Sequence, residues 1–357
     1  MSPWVVSGII QIRLIRKVGE SMTKRIQTLE LTGEKPSSKF FIEYWNSLKS
    51  SNKSNIGTKR SKSDISLLRR NSSLIHWYVT LFSDRKMEVI SYGKGKPLLF
   101  LSGLGVTAPI WLNQINEFGR DYQVIIIHLP GHGLSETTSD FSYQGISQII
   151  YEVLQILEIG EPIHVVGACV GGNIAITFVE MYQQYISSLT LVNAIYEWKT
   201  TAFDEGPLDK ERVKSRMLFL SSFEQSLTQD FIQIMKHISQ PSEANYKKYY
   251  EMHEKSKSID PYAYIQYVID ISKNKRIDDM ARRVERPTMI IAGSKDSAVD
   301  FRNSQVLSQL IMGAEFVEIS GAGHFPYITH PEAFNKILRN FIQSHDDELQ
   351  FSINERG

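Results

Sequence analysis

Ile163-His-Val-Val-Gly167-Ala-Cys169-Val-Gly171-Gly172-Asn-Ile-Ala decides how the rest of this chain is read. A short β-branched run ends in a G-x-C-x-G turn and passes straight into a helical pattern, so Cys169 stands where a strand turns sharply into a helix. Such a turn forms only if the backbone on either side approaches closely, and Gly167 and Gly171 supply the small positions two before and two after. The N–H of Val170 then lies at a helix N-terminus, where a negative charge developing beside Cys169 is stabilised. Cys169 is the single cysteine in 357 residues. A free cysteine is most often a small buried hydrophobe, but its place on this turn makes it the candidate nucleophile.

A chain of this length holds one large α/β domain with insertions or two ordinary ones, and a hydrophobic content of 42% supports a sizeable core. One cysteine excludes an internal disulfide and fits a reducing compartment. Trp4 to Val18 is partly apolar, yet Arg13, Arg16 and Lys17 interrupt it and no small-residue cleavage site follows. Neither a signal peptide nor a transmembrane segment is therefore expected, and the chain reads as cytoplasmic. The net charge of +1 hides an asymmetry: residues 1–75 hold 14 Lys+Arg and 5 Asp+Glu, the remainder 26 and 34. A basic arm of this kind either docks on an acidic partner (a carrier protein, an anionic membrane surface, nucleic acid) or is a solvated tail, the commoner case.

Working outward, residues 1–48 form a basic N-terminal extension in which Phe40 to Trp45 suits a strand or a helix, and residues 49–70 a polar linker. Residues 74–82 and 86–92 read as a hairpin. The continuous apolar runs at 97–101 and 122–128 read as buried central strands. Further strands are expected at 188–193, 287–292 and 314–319, with helices at 143–157, from the elbow to about 182, and at 331–342. Strand–helix repeats of this length imply a mostly parallel sheet with helices on both faces, built from residues 71–196 and 287–345. Between them, residues 197–286 read as a helical lid insertion, with apolar residues at helical spacing in Val213 to Phe223, Phe231 to Ile238 and Tyr262 to Ile271. Tyr246, Tyr249, Tyr250, Tyr262, Tyr264 and Tyr267 either line a pocket or pack between lid helices.

G-x-C-x-G at the elbow, Pro130-Gly-His132-Gly-Leu-Ser135, Gly293-Ser-Lys-Asp296 and Gly321-Ala-Gly-His324-Phe-Pro326 follow one another at strand ends. Each alone is a weak signal, but the four in register make residues 74–343 resemble the α/β-hydrolase superfamily. The resemblance implies an α/β-hydrolase fold with Cys169 as nucleophile, Asp296 as acid and His324 as base. It also implies an oxyanion hole from the N–H groups of Leu104, in Ser102-Gly-Leu-Gly105, and Val170. Asp300 is a rival acid, disfavoured by the G-x-x-D position. The strand before the P-G-H-G turn normally ends in aspartate, where this chain has His128; His132 reads as turn-stabilising, and both histidines stay outside the expected mechanism. No metal-ligand spacing occurs and no cofactor is implied.

The elbow is similar to those of polyhydroxyalkanoate synthases and dienelactone hydrolases, but the long insertion and the other turns depart from both, and the chain is assigned to neither. A thiolate is a good leaving group, so productive substrates need a leaving group at least as good, such as a thiol or an enol. The expected activity is acyl transfer through an acyl-cysteine, from an acyl-CoA or acyl-carrier-protein thioester to water, a hydroxyl or an amine. A hydrolase of activated esters or lactones is the alternative, and a non-catalytic ligand-binding homologue a further one. The expected partner is a small-molecule acyl substrate, not nucleic acid.

Overall fold

The computed structural model describes residues 26–30, 75–197, 259–273, 277–296 and 298–346. Nine strands make one sheet: β1 (Ile26–Glu30), β2 (Ile75–Thr80), β3 (Lys86–Tyr92), β4 (Lys96–Leu101), β5 (Tyr122–Ile127), β6 (Ile163–Ala168), β7 (Ile186–Val192), β8 (Thr288–Gly293) and β9 (Glu315–Ile319). Their order is β1-β2-β3-β5-β4-β6-β7-β8-β9. β4 to β9 run parallel, while β2 and β3 form the expected antiparallel hairpin and β3 pairs antiparallel with β5. The sheet also takes in β1 from the N-terminal extension, paired antiparallel with β2 in the register Ile26↔Val79. The sequence reading assigned no strand to that stretch, IQTLE.

Alternation along the buried strands separates two cores. Leu99, Leu101, Val165, Leu189, Leu191 and Ile290 share one with α2 (Tyr143–Ile156) and α3 (Val170–Met181). Leu98, Phe100, Val166, Val192 and Ile291 share the other with α1 (Leu112–Phe118) and with the helix of residues 331–344. Both faces being covered explains why these strands read as continuous apolar runs and not as alternating ones. Of the stretch read as a lid, the structure describes α4 (Pro261–Lys273) and α5 (Asp278–Arg282), the first close to the span expected for it. Val213 to Phe223, Phe231 to Ile238, Phe40 to Trp45 and residues 49–70 lie outside the described residues. After β8 come α6 (Arg302–Leu310), β9, α7 (Pro326–Thr329) and α8 (Pro331–Ser344).

At the amino ends of the central strands a polar clip ties α8 down. His164 on β6 is fully buried, with one ring nitrogen 2.8 Å from Ser188 Oγ and the other 3.0 Å from Asp346. Asp346 also accepts from the Tyr122 hydroxyl at 3.0 Å and pairs with Lys96. Burial pushes the Asp346 carboxyl up, but the hydrogen bonds from His164 and Tyr122 and the charge of Lys96 outweigh it and hold it below the usual carboxylate range.

Candidate active site

Cys169, Asp296 and His324 all stand just past the carboxyl ends of the parallel strands, after β6, β8 and β9. Cys169 leaves β6 with φ 52° and ψ −120°, a left-handed conformation that a non-glycine residue holds only under constraint from its surroundings. Its N–H donates to Val192 O at 3.0 Å and its carbonyl accepts from Gly172 N–H at 2.9 Å, which fixes the turn from both sides. The two flanking glycines are needed as read: a Cβ on Gly167 would lie 2.5 Å from Gly171 O, and one on Gly171 would lie 2.4 Å from the carbonyl oxygens of both Leu101 and Ser102. The loop after β4 is packed directly on the elbow, since a Cβ on Gly103 would stand 3.2 Å from Cys169 Cβ and 3.9 Å from its Sγ. Among the described residues, neither Leu104 N–H nor Val170 N–H meets a protein acceptor.

Asp296 and His324 meet across the loops that follow β8 and β9. His324 Nδ1 lies 2.7 Å from Asp296 Oδ2. The other carboxylate oxygen of Asp296 accepts from the N–H groups of Ala298 and Val299 at 2.8 and 3.0 Å, which orients the acid. Asp300 is occupied elsewhere: its carboxylate accepts from Arg302 N–H at the start of α6. Both members of the pair are buried, with side-chain exposures of 8% for His324 and 1% for Asp296. Burial alone pushes the His324 imidazolium down, but the charges of Asp296 and Cys169 and the hydrogen bonds to both outweigh it and raise it from 6.5 to about 10.

Sequence reading missed the side chain that locks these two loops together. Asn193, just past β7 and at φ 46°, donates through Nδ2 to Gly323 O (3.3 Å) and His324 O (2.9 Å) and accepts through Oδ1 from Gly293 N–H (3.0 Å). An asparagine ending a buried strand is the signal: it tolerates the left-handed region and carries a donor and an acceptor on one planar group. The two histidines left out of the expected mechanism also have defined tasks. His128, buried where an aspartate was expected, pairs through Nδ1 with the fully buried Glu88 at 2.7 Å and accepts Ala108 N–H through Nε2 at 2.9 Å. Glu88 Oε2 takes Leu134 N–H at 2.6 Å as well. The carboxylate has thus moved from the end of β5 to β3, next door in the sheet.

Two tyrosines feel the charge of Cys169. Burial, together with the nearby Cys169, holds the hydroxyls of Tyr143 on α2 and Tyr264 on α4 above their usual range, so both are neutral groups near the reacting atom. Tyr267 packs as a core residue instead, its hydroxyl donating to Pro130 O at 3.2 Å. Tyr262 is exposed, and Tyr246, Tyr249 and Tyr250 lie outside the described residues. Among the described residues no group of three His, Cys, Asp or Glu side chains could hold a metal ion, and no helix is long and apolar enough to cross a membrane.

A mostly parallel sheet of this order, a strained strand-to-helix elbow after β6 and an acid–histidine pair after β8 and β9 together define an α/β-hydrolase. The sequence matches the family of the alpha/beta hydrolase fold over residues 96–331, and the chain belongs to that family. It is similar to the pyrrolizixenacetamide deacetylase of Xenorhabdus hominickii, 26% identical over 74% of this chain and 97% of that one. A monoacylglycerol lipase of Xenopus laevis is 22% identical over 76% of this chain and 86% of its own length. Among solved structures, the esterase EaEST from Exiguobacterium antarcticum superposes with a TM-score of 0.63 at 20% identity, covering 74% of this chain and 98% of that one.

Proposed function

We propose that the protein is an acyl-transfer enzyme that works through a covalent acyl-cysteine on Cys169, with His324 as proton carrier and Asp296 as its orienting acid. The observation that carries the reading is the buried 2.7 Å hydrogen bond between Asp296 and His324, whose imidazolium is raised further by Cys169, the residue that turns the elbow at φ 52°. His324 takes the proton of the thiol as the sulfur becomes a nucleophile. Sulfur attacks the acyl carbonyl, the C–S bond forms, and the oxyanion is taken by the N–H groups of Leu104 and Val170. Collapse breaks the bond to the leaving group, which departs with the proton from His324. In the resulting thioester Cys169 is neutral, and the ring, having given up its proton, is free to act as a base again. It then takes the proton of the incoming water, hydroxyl or amine, and the second collapse expels the Cys169 thiolate.

The same logic sets the substrate class. A thiolate is expelled from a tetrahedral adduct in preference to an alkoxide, so acyl thioesters, acyl-CoA or acyl-carrier-bound, and activated esters or lactones suit the site better than alkyl esters. Similarity to a deacetylase and a lipase favours water as the acceptor, which makes hydrolysis the first reading and transfer the second. A thiol nucleophile suits a reducing, cytoplasmic setting. Mixing the protein with butyryl-CoA and following intact mass is the test: a butyryl adduct on the parent, none on Cys169→Ala and a slower one on Cys169→Ser are expected. Turnover of butyryl-CoA by Cys169→Ala at the parent rate would end the assignment. Docking of a carrier protein on the basic extension should weaken as salt rises, with a higher KM for the carrier-bound substrate and an unchanged KM for the CoA ester.

A further inference from the structure

We propose that His132 is a positioning residue for the acyl-transfer step, holding the Ser102–Gly105 loop through Gly105 so that the neighbouring Leu104 N–H is fixed as a donor for the oxyanion formed at Cys169; this rests on the reading of Cys169 as the nucleophile. Gly105 N–H donates to His132 Nε2 at 2.9 Å, and the other ring nitrogen lies 3.3 Å from Pro130 O. An amide N–H only donates, so Nε2 accepts and Nδ1 carries the proton. Burial pushes the His132 imidazolium down to about 4, against which its hydrogen bonds to backbone count for less, so the ring stays a neutral acceptor across ordinary pH.

The turn that carries His132 is itself gripped by α4. Asp260 N–H donates to Gly131 O at 2.7 Å, the Tyr267 ring meets the His132 ring edge-on at 5.4 Å, and the Tyr267 hydroxyl reaches Pro130 O. A Cβ on Gly131 would lie 2.2 Å from Ala263 Cβ, so helix and turn are in closest contact there. On the far side of the same loop, Trp111 Nε1–H donates to Ser102 Oγ and Ala108 N–H to His128. The loop is therefore tied at Ser102, Gly105 and Ala108, and His132 holds the tie adjacent to the peptide group that the oxyanion needs. An oxyanion donor works only when fixed in advance at the site where charge develops, which is what such a tie provides.

The test separates steps that form an oxyanion from one that does not. Alkylation of Cys169 by iodoacetamide is a displacement at saturated carbon, whereas acylation by p-nitrophenyl butyrate passes through a tetrahedral oxyanion. His132→Leu should slow acylation about 10- to 100-fold while leaving the alkylation rate within about twofold of the parent. His132→Gln, whose Oε1 is as many bonds from the backbone as Nε2, should recover most of the acylation rate. Should the leucine variant not fold, His132→Asn, one bond too short to reach Gly105, gives the same comparison. Acylation unchanged in His132→Leu, or acylation and alkylation lost in equal measure, would overturn the proposal. Nitrophenol release that survives Cys169→Ala removes the nucleophile and the proposal together; release abolished by Cys169→Ala but untouched by His132→Leu removes the proposal alone.

Discussion

At His324 the decisive quantity is where the proton sits. The imidazolium is raised to about 10 in the folded protein against 6.5 for the ordinary side chain, so the stability it contributes is complete below about pH 6.5 and is lost as pH rises through about 10. An NMR titration of the His324 ring should accordingly show no deprotonation between pH 6 and 9. Asp296→Asn removes the nearer of the stabilising charges: the ring should then titrate at lower pH, and turnover should fall about 10²- to 10⁴-fold. A ring titration that does not move in that variant would show that Asp296 does not hold the proton in place. Asn193 is a second test at this scale. Asn193→Ala leaves Gly293 N–H without its acceptor and takes the donor from two carbonyls, so a loss of about 2–4 kcal/mol in the urea unfolding free energy is expected. The three residues of the proposed triad were legible as candidates because each stands in a short turn with its own glycine signature; Asn193 and Glu88 were not, because their partners are a hundred or forty residues away and only the fold brings them near.

The elbow, as an element, is a place where backbone meets backbone. A methyl group added at Gly171 has no side chain to push aside, only the carbonyls of Leu101 and Ser102 at 2.4 Å, so Gly171→Ala should separate β4 from the elbow. The expected result is a loss of about 2–4 kcal/mol and of acylation together, read from urea unfolding and intact mass. Gly313, where nothing lies within 4 Å but φ is 76°, is the contrast: its alanine variant meets only backbone strain, with a loss of about 1 kcal/mol and normal acylation. Strand and helix positions followed from period and apolar runs, since burial on both faces writes itself into consecutive residues. β1 escaped because a strand at the sheet edge needs no such run, and the departure from aspartate at His128 is met by the carboxylate of Glu88 on β3.

At the scale of the whole molecule, the α/β-hydrolase architecture was readable because strand, turn and helix signals all agreed along the chain. The clip beneath the sheet was not, since it joins Lys96, Tyr122, His164 and Asp346 from four distant segments. Asp346→Asn should cost about 1–2 kcal/mol near neutral pH. The native carboxyl is held below its ordinary value of 3.8, so its contribution is present above that value and is lost as pH falls through the lower folded one. The difference in urea midpoint between parent and Asp346→Asn should therefore shrink in acid, and a difference that persists unchanged there would assign the effect to packing. The clip also bears on how the chain is made. His164 enters the middle of the sheet with β6, yet its second partner lies 182 residues further on. A nascent chain emerging from the ribosome therefore carries that buried imidazole half-partnered until synthesis has passed residue 346.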